Sequence, residues 1–312
     1  MPDPTPFERV CAAVSPVLGP LVPARFRSDI PVVPVVRLAG AIGISSPLRP
    51  GLTIASVSRS LDRAFAVSNV KAVALSINSP GGAAVQSHLI FKRIRALADE
   101  KQVPVLAFVE DVAASGGYMI ACAADEIICD TSSIVGSIGV IGGSFGFHKL
   151  IEKIGVERRI YTAGENKAML DPFQPEKPED VERFHKIQQD IHEGFIALVK
   201  SRRGTKLDSR ETALFSGEFW TGRRGLELGL VDAIGDLRGV LRERYGEKVR
   251  TPLIAERGLF GRSKPGVLGG VLGSVTGGGL ASLLEGTREG ASLTEDVIAT
   301  LEARALWARY GL

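Results

Sequence analysis

Residues 71–82 read KAVALSINSPGG and residues 104–117 read PVLAFVEDVAASGG. Each is an apolar run that ends in a pair of glycines. The runs predict buried strands, and the glycines predict a chain that turns sharply or lies close to something as it leaves each strand. Between them, Ala84 to Glu100 repeats apolar residues at helical spacing, which predicts a helix with Leu89, Ile90, Ile94 and Leu97 toward the core.

The alternation continues outward. Val32–Gly43 predicts an earlier strand, and Ile54–Ala66 predicts a helix on Ile54, Val57, Leu61 and Phe65. After the second glycine pair comes a buried small-residue helix, then the short strand EIICD and the glycine-rich turn GSIGVIGG at 136–143. A helix FHKLIEKIG and a strand ERRIYTAG follow. A long helix then runs from Pro178 to Arg203, with Val181, Phe184, Ile187, Ile191, Phe195 and Leu198 on one side. FWTGRRGLELGLVDAIGDL predicts a loop, a short helix and a strand, and the domain closes near Tyr245. Strand and helix in turn predict the α/β class, with a mostly parallel sheet and right-handed crossovers.

The boundaries that follow are an N-terminal arm at 1–30, a domain at 31–250 and a basic, glycine-rich tail at 251–312. Pro16 and Pro20 break the arm's short apolar stretch. In the tail, Pro265–Leu284 has no charged residue and seven glycines in 20 positions. Such a tract is a poor helix, so it reads as a tether or interaction segment rather than a membrane span. A last helix opens at the capping box Ser292-Leu-Thr-Glu295, with Val297, Leu301 and Ala305 on one face.

Composition sets outer limits. The 312 residues are 45% apolar and 23% charged, which excludes a polytopic membrane protein and a wholly disordered chain. The net charge of +3 gives no reason to expect nucleic acid. Positive charge does gather between Arg238 and Lys264, with eight basic residues against three Glu. A solvated helix and tail is the first expectation there, and an anionic membrane surface the second. Cys11, Cys122 and Cys129 have no metal-type spacing and lie among apolar residues, so they read as small core hydrophobes in a reducing compartment. MPDPTPFERV lacks the pattern of a secretory signal. The expectation is a cytoplasmic protein without an N-terminal anchor, in peripheral contact with the inner membrane at most.

The chemistry concentrates at the glycine pairs. After Pro80, backbone N–H groups at a sheet edge can cradle an oxyanion, or the turn is simply a tight one. Ser115 stands at the start of an apolar helix, where amide groups and the helix dipole favour negative charge. It is either the cap of that helix or a nucleophile. A nucleophile needs a base. Of His88, His148, His185 and His192, the last two fall among charges on the long helix and His88 on a surface helix. That leaves His148, with Asp171 to orient it. Lys167 is the alternative, since burial disfavours an ammonium ion and lets a lysine accept a proton. Such a lysine needs an orienting hydroxyl, which Ser137 on the glycine turn supplies.

The strings SINSPGG, AASGGYMIACAADEI, GSIGVIGG and WTGRRGLELGLVD together resemble the signal peptide peptidase A family of serine peptidases, over about residues 31 to 240. The resemblance implies a ClpP/crotonase-like fold with repeated β-β-α units. It implies Ser115 as nucleophile, Lys167 as general base, Ser137 as the residue that orients Lys167, and Gly82 and Gly116 as oxyanion donors. It also implies no cofactor or metal. The partners implied are extended apolar peptides, such as remnant signal peptides, and further copies of the chain in a ring or dome of four or eight. Only one SPGG and one ASGG occur, so one domain copy carries both halves of the dyad. Two rivals from other classes share the fold: an acyl-CoA enzyme of crotonase type, and a non-catalytic scaffold at the membrane.

Overall fold

The two apolar runs lie next to each other in the middle of one sheet. This computed structural model describes residues 30–44, 51–208, 211–254 and 293–312. Strands β1 (Val35–Ala39), β2 (Val73–Ser79), β3 (Val105–Ala114), β4 (Glu126–Cys129) and β7 (Ala233–Ile234) stand in that order, all parallel. The short β5 (Ile134–Gly136) pairs in parallel with the far end of β3, and β6 (Phe219–Thr221) runs antiparallel to β5. The α/β class and the mostly parallel sheet flanked by helices are as expected. Residues 250–254 run beside β1 through bridges from Val32 to Arg250 and from Val35 to Leu253.

Parallel neighbours need crossovers, and the helices supply them. They are α1 (Ile54–Phe65), α2 (Ala84–Lys101), α3 (Gly116–Ala121), α4 (His148–Lys153), α5 (Pro178–Arg203), α6 (Gly222–Glu227), α7 (Leu237–Tyr245) and α8 (Leu293–Ala308). One face of the sheet buries Leu75, Ile77, Val105, Ala107 and Ile127 with residues of α1, α2, α3 and the end of α5. The other face buries Val33, Ala74, Leu106, Phe108 and Ile128 against Leu241 of α7. Alternation along β3 accounts for this: Ala113 joins the first face, and Val112 and Ala114 the second.

β3 serves two neighbours in succession. Leu106–Val109 pair with β4 and Val112–Ala114 with β5. Between those stretches its register against β2 slips, since Ile77 faces Val109 while Ser79 faces Ala113. Asn78 stitches the bulge. Its amide nitrogen donates to Asp111 (2.6 Å) and its carbonyl oxygen accepts from the N–H of Val112 (3.3 Å). Bulges of this kind bend a strand and re-aim its end; here the end that is re-aimed leads into Ser115.

Three expectations need correction. ERRIYTAG forms no strand, because residues 157–164 have no sheet edge to pair with and Tyr161 is 90% exposed. Leu89 lies outside the core that Ile90, Ile94 and Leu97 join. Only the C-terminal part of α5 joins the hydrophobic core, through Phe195 and Val199, while Ile187 and Ile191 are exposed. Cys122 and Cys129 are buried as expected, and burial pushes both thiols up to about 12. Cys11, the arm at 1–29 and the glycine tract at 265–284 lie outside the described residues.

The last turn of α5 is tied to the sheet by a buried ion pair. Arg203, 4% exposed, grips Asp232 through two nitrogens (2.7 and 3.1 Å) and donates to the carbonyl of Gly229. Burial raises the Asp232 carboxyl, but hydrogen bonds from Arg203, Lys206 and the Ile127 N–H outweigh it and hold the group below its usual value. Arg203→Ala leaves the Asp232 carboxylate to Lys206 and the Ile127 N–H alone and should cost about 2 kcal/mol in urea unfolding at pH 7. A depressed carboxylate stabilises the fold above its unfolded value and loses that contribution as pH falls through the folded one. The gap between wild type and variant should therefore narrow below about pH 4.

Candidate active site

β3 ends at Ala114 and α3 begins at Gly116, so Ser115 alone makes the corner. Its backbone sits at φ 52°, ψ −122°, a conformation that costs a residue with a side chain about 1–3 kcal/mol. Two backbone bonds hold it there. The Ser115 N–H donates to the carbonyl of Gly136 (2.8 Å), and its carbonyl accepts from the N–H of Met119 (3.0 Å). The hydroxyl makes no cap bond to α3. The turn geometry therefore presents the side chain instead of using it to finish the helix.

The turn after β2 packs against this corner. A Cβ on Gly81 would stand 2.8 Å from the Ser115 Cβ and 3.0 Å from the Gly116 nitrogen. Ile42 fixes the turn from the other side: its N–H donates to the Gly81 carbonyl and its carbonyl accepts from the Ala83 N–H, both at 2.8 Å. A parallel bridge made this way leaves the N–H of the middle residue, Gly82, facing away from Ile42. Neither Gly82 nor Gly116 donates its N–H to an acceptor among the described residues. Two free amide donors thus flank one unbonded serine hydroxyl, the arrangement that receives a developing oxyanion.

The space is tight as well as open. Gly82 has φ +140° and lies against the Ile42 backbone, so a side chain is excluded by both conformation and contact. Gly116 touches Ser87 and the Ile42 Cδ1, where its own Cβ would sit at 3.3 Å. Small residues here let backbone, not side chain, line the site.

Ser137 is reached through the same anchor. It follows Gly136, the acceptor for Ser115, and its N–H donates to the Glu218 carbonyl at 2.6 Å. Its backbone also has positive φ (53°), and it is only 3% exposed. The hydroxyl of Tyr310 donates to Ser137 Oγ at 3.3 Å. His192 supports the next residue, with Nε2 3.0 Å from the Ile138 carbonyl. This corrects its reading as a solvent-facing residue. Its spacing to the buried Phe195 and Val199, three and seven positions on, was the legible signal.

Lys167 is placed differently from expectation. It lies on an exposed turn, its N–H donates to the Gly164 carbonyl (3.2 Å), and its amine forms no hydrogen bond or ion pair among the described residues. Within one chain it is neither buried nor bonded to Ser115 or Ser137. The histidine alternative is not assembled either. Asp171 pairs with Arg158 (3.2 Å) and accepts from the Phe173 N–H (3.1 Å), not from His148.

Residues 98–248, which hold Ser115, Gly116, Ser137 and Lys167, match the model of peptidase family S49. Those residues make up just under half of the chain. Over 302 residues it is 54% identical to a protein of Brucella abortus named Na(+)/H(+) antiporter NhaA, covering 96% of this chain and 40% of that protein. The antiporter name is said of that whole protein, most of which lies outside the likeness. Among the described residues, no helix is long and apolar enough to cross a membrane. The chain is 32% identical over 281 residues to the chloroplastic serine protease SPPA of Arabidopsis thaliana (86% of this chain, 40% of that one). It is also 32% identical over 192 residues to a putative protease of Methanocaldococcus jannaschii (61% of each). It thus spans about two fifths of the length of the first relatives it matches. A solved structure of a membrane-bound stomatin-specific protease aligns with a TM-score of 0.44 and 18% identity, over 73% of this chain and 94% of that one.

The strained corner at Ser115 gives a stability test. Ser115→Gly removes the side chain that positive φ penalises, and should raise the unfolding free energy by about 1 kcal/mol. Gly82→Ala should lower it by about 1–3 kcal/mol, because the added methyl meets the Ile42 backbone. Urea unfolding of the two variants beside wild type measures both.

Proposed function

We propose that the chain is a serine endopeptidase that uses a Ser115–Lys167 dyad. The observation that carries this is the unbonded Ser115 hydroxyl, held on a strained corner between the free amides of Gly82 and Gly116. Ser115 Oγ attacks the scissile carbonyl while its proton passes to the Lys167 amine. The carbonyl oxygen becomes an oxyanion between the two amides. The C–N bond then breaks, and the lysine returns the proton to the leaving amine. Water hydrolyses the resulting ester by the same steps in reverse and frees Ser115. Ser137 Oγ is the group that orients the Lys167 amine. The names of the relatives favour a protease over the crotonase-type and scaffold readings. The name of one relative, a putative signal peptide peptidase of Enterococcus faecium, favours remnant signal peptides as substrates, and such peptides are extended and apolar.

The exposure of Lys167 adds a requirement. The amine has to be brought to Ser115 and out of water, either by closure of its own segment or by a neighbouring copy of the chain. Exposed apolar residues accompany that segment: Ile141, Ile154, Val156 and Tyr161. A surface of this kind favours burial against a second copy, so the dyad is completed in a homo-oligomer.

Both parts are testable together. A fluorophosphonate should label Ser115, shown by mass spectrometry of the adduct, and Lys167→Ala should slow both labelling and peptide turnover by at least about 10³-fold. An equimolar mixture of Ser115→Ala and Lys167→Ala, unfolded and reassembled together, should recover about a quarter of wild-type turnover if sites form between copies. No recovery would place the dyad within one chain. Absence of any adduct on folded wild type would sink the peptidase reading.

A further inference from the structure

We infer that the hydroxyl of Ser79 is the positioning group for the Gly82 amide, standing in for a backbone hydrogen bond that Pro80 removes from the sheet. Past the end of β1, residues 40–42 run on beside the turn that follows β2. Ala39 is level with Asn78, and the Gly40 N–H donates to the Asn78 carbonyl (2.9 Å). In a regular parallel ladder the Gly40 carbonyl would next accept from the N–H of residue 80. Residue 80 is proline and has none to give. Ser79 Oγ donates to that carbonyl instead, at 2.7 Å.

The same oxygen accepts from the Gly81 N–H at 3.3 Å, so one hydroxyl ties the turn to the chain beyond β1. The ladder resumes at Ile42, which is level with Gly82. Ile42 lies two positions beyond Gly40, whereas Gly82 lies three beyond Ser79. The turn therefore carries one extra residue, and Gly81 (φ +97°) and Gly82 (φ +140°) absorb it. A trans peptide plane points its C=O and its N–H in opposite directions. Ile42 donates to the Gly81 carbonyl at 2.8 Å, which turns the Gly82 N–H away from Ile42. Ser79 holds the N–H of the plane before. Gly81 has no side chain to restrict it, so these two bonds set its dihedrals.

The hydroxyl is fixed as firmly as the planes it holds. Ser79 is fully buried, is level with Ala113 of β3, and fills the space that Gly117 leaves open beside it. A buried hydroxyl that both donates and accepts cannot turn without losing a partner. Alanine at 79 keeps the packing and removes both bonds. The plane before Gly81 is then free to rotate, while Ile42 still holds the one after it, so the sheet stays and the amide loses its aim. Such an amide stabilises a developing oxyanion less and leaves the binding of substrate alone. The effect on rate rests on the serine-peptidase reading, whereas the restraint on Gly81 rests on the hydrogen bonds.

Full-length Ser79→Ala should lower kcat on a leucine-rich fluorogenic peptide about tenfold, less than the roughly 10²-fold that loss of one oxyanion donor causes. KM should stay within about twofold of wild type. A leucine-terminated peptide aldehyde would form a tetrahedral adduct on Ser115 with its oxygen between the two amides, so its affinity should fall in step with kcat/KM. Ser79→Cys, with a weaker donor, should fall between alanine and wild type. Asp236→Ala removes the cap of α7, which packs on the other face of the sheet. It should lower the urea midpoint comparably and leave kcat and aldehyde affinity unchanged. Exchange of the Gly81 amide, followed by NMR, should speed about tenfold in Ser79→Ala while that of Ala83 holds. A loss confined to KM, or equal losses of kcat in Ser79→Ala and Asp236→Ala, would reduce Ser79 to packing and overturn the proposal. So would a Gly81 amide that exchanges as in wild type. No turnover and no Ser115 labelling in wild type would sink the peptidase reading instead, and the Gly81 exchange would still decide whether Ser79 fixes the turn.

Discussion

The structure depends on one corner, where β3 becomes α3 through a single residue. Ser115 sits at positive φ with its N–H committed to Gly136 and its carbonyl to Met119. The strain is of order 1–3 kcal/mol and persists only where the surroundings over-determine it. Here they do. β3 is paired on both sides, the bulge at Asn78 sets the direction of its last three residues, and the turn after β2 presses on the serine from outside. Close packing of that turn demands glycine at 81, 82 and 116, and the same glycines leave two amides unbonded. One geometric requirement therefore produces the unbonded hydroxyl and the donors beside it.

Much of this was legible because it is local. SPGG and ASGG follow apolar runs at the points where a chain leaves a parallel sheet, and each demands a tight turn whatever surrounds it. The pairing of β2 with β3 follows from the βαβ rule, so the two turns had to meet. α5 was read to its first and last residues because Pro178 can open a helix and Gly204 can end one. The rest was not local. ERRIYTAG has the composition of a strand, but a strand exists only where a partner edge waits, and none does in one chain. His192 looked solvent-facing among charged neighbours, yet the acceptor that claims it, the Ile138 carbonyl, lies 54 positions away. Lys167 has apolar residues after it, and that pattern is equally the mark of a surface buried in an assembly. Tyr310 carried no signal at all, since nothing in ARALWARYGL says which slot its ring will find.

The two sides of the site differ in how firmly they are built. Ser115 and the amides beside it belong to the best-packed part of the sheet, next to Ala113, Ala114 and Tyr118, none of which is accessible to solvent. Tyr118 is held at depth by a hydrogen bond to the Leu230 carbonyl, which links the small helix after Ser115 to the loop beyond α6. The segment carrying Lys167 belongs to the least covered part, with apolar residues exposed on either side of it. Preorganisation is thus concentrated at the proposed oxyanion site, the place where fixed dipoles would contribute most to a transition state.

That asymmetry bears on control. A peptidase with a permanently complete site would cleave whatever extended chain reached it, including neighbouring copies. On the proposed dyad, rigid amides without a seated base would not cleave, so the step that seats Lys167 would be where activity is licensed. Ser137 would be the point at which that step is felt, because it is buried, follows the anchor of Ser115 directly, and has a hydroxyl that Tyr310 already meets. The fold in any case separates a rigid part, the glycine turns held by the sheet around Ser115, from an exposed part, the turn that carries Lys167.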